Sequence, residues 1–190
     1  MQQAAFFSSL AAVSILEIKK FPDPVLKKHA KAVTQIDGRI AGMLNNMVDT
    51  MYTANGIGLA APQVGLLERA IVVDTDIENR GQKLVKIINP EVTEASGEIT
   101  IEEGCLSVVN FTAEIARPRK ILVKGWTVDQ QEVELEFEDI DAVCIQHEID
   151  HLEGILLVDH ISRLKRDMYR KRLKKQDSDS KQGGGGAPKI

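Results

Sequence analysis

Apolar residues at Ile40, Met43, Leu44, Met47, Val48 and Met51 recur with the three- and four-residue spacing of a helix that buries one face. Asp37 stands where an N-cap belongs and Asn55-Gly56 supplies a stop, so the pattern predicts an amphipathic helix between them. The methionine stripe Met43, Met47, Met51 reads as core filler, because an unbranched thioether fits irregular gaps. Elsewhere the period shortens. Ile15–Lys19 is strand-like until the turn residues Phe21-Pro22-Asp23-Pro24. Ala70–Val73 is a continuous apolar run that predicts a buried strand, and Leu84–Ile88 predicts another, closed by Asn89-Pro90. Ile121–Val128 and Val133–Phe137 predict a hairpin, with Val133, Leu135 and Phe137 on one face and Glu132, Glu134 and Glu136 on the other.

Helical spacing returns in Asp141–Gly154, DAVCIQHEIDHLEG. The acidic residues Glu138, Asp139 and Asp141 suit the positive end of that helix, and Gly154 closes it. A last helix is predicted from about Ser162 to Lys175. Short antiparallel sheets packed around a central helix, with a C-terminal helix, make an α+β domain. Residues 1–13 read as a flexible extension, 14–176 as one domain, and 177–190, with Gly183–Gly186, as a disordered tail.

Composition narrows the class. With 190 residues, 43% hydrophobic and 27% charged, the chain can bury a core without disulfide staples. Cys105 and Cys144 are too few for a disulfide scaffold, and no Lys or Arg precedes Lys19 to make a secretion signal. No apolar run reaches the ~18 residues of a membrane span, so the expected location is cytoplasmic, with no membrane partner. The net charge of −4 conceals a split. Arg163–Lys175 holds eight basic residues against one acidic residue, a net +7, which leaves −11 on the remainder. Such a basic helix on an acidic body points to a local electrostatic contact.

The central helix carries chemistry. His147 and His151 lie four residues apart, on the same face as Ile140, Val143 and Cys144, with Glu148 beside the first histidine. Two imidazoles so spaced can hold a metal ion, and the glutamate can handle a proton without being a ligand. Three completions can be weighed. A third histidine at the extended-motif position fails, because that position is Leu157 and His160 comes three residues late. Cys144, a full turn of ~5.4 Å before His147, suits a pocket wall better than a ligand. Cys105, after a glycine in a bend between strand-like segments, can complete a Cys-His-His set with one position open for water.

The stretch Gly56–Gly65, GIGLAAPQVG, contains G-x-G-x-x-A, and Asp74 follows where a ribose-binding acid would sit. A dinucleotide site needs a strand before the first glycine and a helix after it. Here a helix-period segment precedes and Pro62 interrupts, so no dinucleotide is expected. The glycines instead let backbone approach an extended peptide, and Gln63 offers a neutral N–H donor of the kind that stabilises an oxyanion.

Three stretches in this order, Gly56–Gln63 (GIGLAAPQ), Glu103–Ser107 (EGCLS) and Gln146–His151 (QHEIDH), resemble the peptide deformylases. The likeness runs from about Ser14 to Lys175 and includes the FPDPVL opening and the C-terminal helix of the bacterial type. The resemblance implies a metal-dependent hydrolase that removes the N-formyl group from the initiator methionine of nascent peptides and releases formate. It implies Cys105, His147 and His151 as metal ligands, Glu148 as acid–base, and Gln63 and the Leu106 N–H as oxyanion donors. Gly58 would bind the substrate backbone, and Ile57, Val143 and Cys144 would line the methionine pocket. Glu103 and Arg117 would form a supporting ion pair. One divalent ion per chain is implied, Fe2+ first, with Zn2+, Ni2+ or Co2+ able to replace it. The resemblance also implies docking on the ribosome through Arg163–Lys175. Many relatives have proline after the EGCLSV run where this chain has Val109, followed by Asn110-Phe111-Thr112, a departure at the substrate's edge.

Two other functions compete. A general H-E-x-x-H metallopeptidase would cut internal peptide bonds and needs a third His or Glu ligand that the chain does not place. A non-catalytic ribosome-binding protein would use only the basic helix.

Overall fold

In the computed structural model, which describes residues 14–182, a five-stranded antiparallel sheet is held between two helices. The first, α1 (Gly38–Thr53), starts at Asp37, whose carboxylate accepts from the N–H groups of Arg39 (3.0 Å) and Ile40 (3.1 Å). Its apolar stripe is buried as expected, methionines included, and Asn55 in the left-handed region (φ 54°) turns the chain out of it.

The sheet orders its strands β1 (Gly58–Ala60), β2 (Ala70–Val73), β3 (Val85–Ser96), β6 (Lys120–Trp126) and β7 (Glu132–Glu138). Alternation along β2 explains its unbroken hydrophobicity. Ala70 and Val72 pack with α1, while Ile71 and Val73 pack on the opposite face with α2 (Asp139–Leu152). The β6–β7 hairpin has the expected register, Ile121 opposite Phe137 and Val123 opposite Leu135, with the glutamates outward. The second sheet is the hairpin β4 (Ile99–Cys105) and β5 (Val108–Arg117), which covers the other side of α2. A helix, α3 (Arg163–Gln182), follows. The α+β arrangement around a central helix is therefore the one expected.

Four local expectations change. Ile15–Lys19 joins no sheet; Leu16 N–H donates to Thr50 Oγ1 and Lys19 N–H to the Gln63 carbonyl, so its backbone groups are satisfied one at a time. β3 runs through Asn89-Pro90, because the missing proline N–H falls at a register shift between Ile88 and Glu91, where the ladder does not need it. Ile140, expected on the buried face, is 42% exposed, since the first turn of α2 extends past its cover. Finally, α3 carries residues 177–182, expected in the disordered tail, because no Gly or Pro interrupts it before Gly183. The 1–13 extension and the rest of the tail lie outside the described residues.

The GIGLAAPQ stretch forms β1 and a 3-10 turn (Ala61–Val64), paired antiparallel with β2. This is not the βαβ unit of a dinucleotide site. No helix among the described residues is long and apolar enough to cross a membrane.

Candidate metal centre and active site

A bulge makes Cys105 available. The β4–β5 register shifts between Gly104 and Cys105, which releases the cysteine from the ladder just before the Leu106-Ser107 turn. Opposite it, α2 stacks His147 and His151 with ring centroids 4.9 Å apart and planes nearly perpendicular. Ligand atoms of Cys105, His147 and His151 all lie within 4.8 Å of one another, and His151 Nε2 is 3.3 Å from Cys105 Sγ.

A partner behind His147 sets its orientation. His147 Nδ1 hydrogen-bonds Glu103 Oε2 at 2.8 Å, which turns Nε2 toward the other two residues. Glu103 in turn receives both Arg117 Nε (2.6 Å) and Nη2 (3.0 Å), and all three side chains are nearly fully buried. Burial alone would raise the Glu103 pKa, but His147 and Arg117 outweigh it and hold the carboxylate below its usual range. Burial likewise opposes a charge on His147, yet the contacts with Cys105 and Glu103 overcome it and raise its pKa well above the usual value. For His151, burial and the neighbouring His147 push the pKa well down.

The set fits a divalent ion of borderline softness: one sulfur and two imidazole nitrogens, with the Glu103 carboxylate behind His147. Beside it Glu148 is buried, and among the described residues its Oε2 has no hydrogen-bond partner. Burial pushes its carboxyl up to about 7, with His147 acting in the opposite direction.

Gln63 sits in the turn after β1. Its Oε1 accepts from the Ala60 N–H at 2.7 Å, which aims Nε2 at Cys105 Sγ (3.7 Å) and Ser107 Oγ (3.3 Å). Gly58 runs against Glu148, and Cys144 Sγ donates to the Ile57 carbonyl at 3.5 Å rather than joining the cluster. Ile57, Val143 and Cys144 line a cavity of about 110 Å³ with Ile140 and His147. A larger groove, about 470 Å³, lies away from the cluster between β5 and α3. There Tyr169 Oη donates to the Val109 carbonyl (3.0 Å), Arg172 bonds the Asn110 carbonyl, and Phe111 packs on Tyr169. The departing loop is thus fastened to α3.

Two residues of the site were missed from sequence. Asp150, between the two histidines, accepts from Arg117 Nη1 at 2.9 Å. His160, noticed only as a failed third ligand, bonds Asp150 at 2.8 Å.

A family model, polypeptide deformylase, matches residues 15–167. A peptide deformylase of Thermodesulfovibrio yellowstonii is 52% identical over 162 residues, covering 85% of this chain and 98% of the relative. The chain belongs to the peptide deformylase family. Another member, from Agrobacterium fabrum, is 44% identical over 155 residues, 81% of this chain and 91% of the relative. The crystal structure of a peptide deformylase from Legionella pneumophila superposes with a TM-score of 0.81 at 40% identity, covering 88% of this chain and 98% of that one. As a deformylase, the chain is a hydrolase that removes the N-formyl group from nascent peptides. The family is metal-dependent, and Cys105, His147 and His151 are the possible metal site. Neither the general metallopeptidase nor the non-catalytic alternative is favoured.

Proposed function

We propose that the deformylation runs at one divalent ion held by Cys105, His147 and His151, with Glu148 as the acid–base. The observation that carries this reading is the convergence of the three ligand atoms within 4.8 Å beside the unpartnered, buried Glu148 Oε2. When bound, the ion supplies Lewis-acid polarisation and a water of lowered pKa. Ferrous iron is the favoured occupant on the family resemblance, and zinc, nickel or cobalt suit the same donors.

The chain's own residues then divide the work. Glu148 takes a proton from the attacking water and returns it to the departing methionine amine. Gln63 Nε2 and the Leu106 N–H stabilise the oxyanion that develops on the formyl carbon's oxygen. The backbone at Gly58 binds the peptide, whose methionine enters the pocket of Ile57, Val143 and Cys144. Glu103 and Arg117 hold His147 in the tautomer that leaves Nε2 to the ion. Residues 14–176 are the catalytic domain.

A second reading concerns the partner. The basic face of Arg163–Lys175 docks on the ribosome, where formylated chains emerge. Exposed side chains at Lys171, Arg172 and Lys174 support this. The two free cysteines support a cytoplasmic location.

Formate release from a formyl-Met peptide, measured on oxygen-free protein before and after chelation, tests the reading. Release that stops on chelation and returns with Fe2+ is expected; chelator-insensitive release would refute the metal site.

A further inference from the structure

The polar chain behind His147 does not end at Arg117. Arg117 spends two nitrogens on Glu103 and the third, Nη1, on Asp150 Oδ2. That same oxygen takes a second hydrogen bond from His160 Nε2. Exposure rises along the chain, from 5% and 6% at Glu103 and Arg117 to 21% at Asp150 and 29% at His160. His160 is its outer end.

The elements joined this way matter more than the individual bonds. Glu103 lies on β4, two residues from Cys105; Arg117 ends β5; Asp150 lies on α2, next to His151. The chain is therefore the polar fastening between the strand that carries the thiol and the helix that carries the imidazoles. A rigid loop presents His160 to it. Gly154 leaves α2 at φ 70°, where a Cβ would come within 2.8 Å of the Lys27 carbonyl. Asp159 then caps the turn, accepting the Leu156 N–H (2.8 Å) and pairing with Lys27 and with Arg166 (3.1 Å). His160 follows and folds back over α2.

We propose that His160 is a positioning residue of the active site: by clamping Asp150 with Arg117, it fixes the distance between the Cys105 ligand on β4 and the His147–His151 pair on α2. The inference rests on the ligand set proposed above. An N–H at His160 Nε2 suffices, so an amide nitrogen at similar reach can replace it.

The test compares holoenzyme loaded with Co2+ in the wild type, His160→Ala, His160→Gln and Lys27→Ala. The last loosens the same turn without touching Asp150. Direct partners of metal ligands change metal affinity by about 10–100-fold, so a residue three bonds further out should act by roughly 3–10-fold. His160→Ala is expected to release Co2+ to a chelator faster by that factor, to shift the cobalt absorption bands, and to lower kcat with KM unchanged. His160→Gln restores all three, and Lys27→Ala lowers Tm without moving the spectrum. Identical release and spectra in His160→Ala and wild type would overturn the proposal, as would equal effects from Lys27→Ala. A wild-type spectrum without a thiolate-to-cobalt band would instead reject the ligand set itself, and the proposal with it.

Discussion

Gly58 and Glu148 meet without room for a methyl group: a Cβ at residue 58 would lie 2.3 Å from Glu148 Oε1 and 2.9 Å from Cys144 Sγ. The glycine is required by this close approach, not by an unusual dihedral. Gly58→Ala must displace the Glu148 carboxylate from a fully packed position. Overpacking of this kind costs about 1–3 kcal/mol of stability. A reacting group moved by about 1 Å loses about 10²-fold in rate. The expected outcome is a fall in kcat near that size with metal content retained, checked by formate release alongside metal analysis.

Gln63 is aimed by a single backbone contact, the Ala60 N–H on its Oε1. Gln63→Leu removes the Nε2 donor at similar volume. Loss of one oxyanion donor lowers kcat by about 10²–10³-fold. KM should change little, and steady-state kinetics on a formyl-Met peptide separates the two. Its Ala60 N–H partner is left unpaired, so Tm should also fall.

How much of this was legible beforehand depended on whether the signal was local. The α1 stripe, the doubly buried β2 and the outward glutamates of β7 follow from side-chain period and the layer each element faces. The Cys105, His147 and His151 cluster was reachable because H-E-x-x-H fixes two donors on one helix and Gly104-Cys105 marks a bend. The bulge that turns Cys105 inward was not. Pro90 misled because its cost depends on which ladder bond it removes, a tertiary fact. Ile140 misled because period says which face points inward, not how far the cover extends. Asp150 was missed for a similar reason, since its partner Arg117 lies 33 residues before it in the chain, and His160 meets Asp150 only because the turn after α2 folds back.

Asp74 links stability to pH on both sides. Burial would raise its pKa, but the Tyr52 hydroxyl (2.6 Å) and the N–H groups of Gly81 (2.6 Å) and Asp76 (3.2 Å) hold it lower. A depressed carboxylate contributes stability that is present above its unfolded pKa of 3.8 and lost as pH falls through the folded value. Burial and Asp74 push the Tyr52 phenol up to about 12 from 10.0, so its contribution is complete below pH 10 and lost as pH rises toward 12. Tyr52→Phe should therefore cost about 1.5–3 kcal/mol at pH 7, the worth of a hydrogen bond to a charged group. Urea unfolding of both proteins should show the difference shrinking below pH 4 and above pH 10.

Tyr169 is buried against Phe21 and Phe111, so deleting α3 would uncover core as well as remove charge. Lys171→Glu with Lys174→Glu changes only the exposed face. Ribosome binding should weaken, and the slope of log affinity against log salt should fall by about one per lysine. Co-sedimentation across a salt series measures it; an unchanged slope would remove those lysines from the contact.

The role of Glu148 is the most direct point of attack. Its carboxylate is buried beside the Cys105, His147 and His151 cluster, and among the described residues Oε2 has no hydrogen-bond partner. In Glu148→Gln the three ligands are intact, so metal content should equal the wild type. Formate release from a formyl-Met peptide should fall by about 10²–10⁴-fold, the usual worth of a positioned acid–base. Metal-loaded Glu148→Gln that turns over near the wild-type rate would contradict the mechanism.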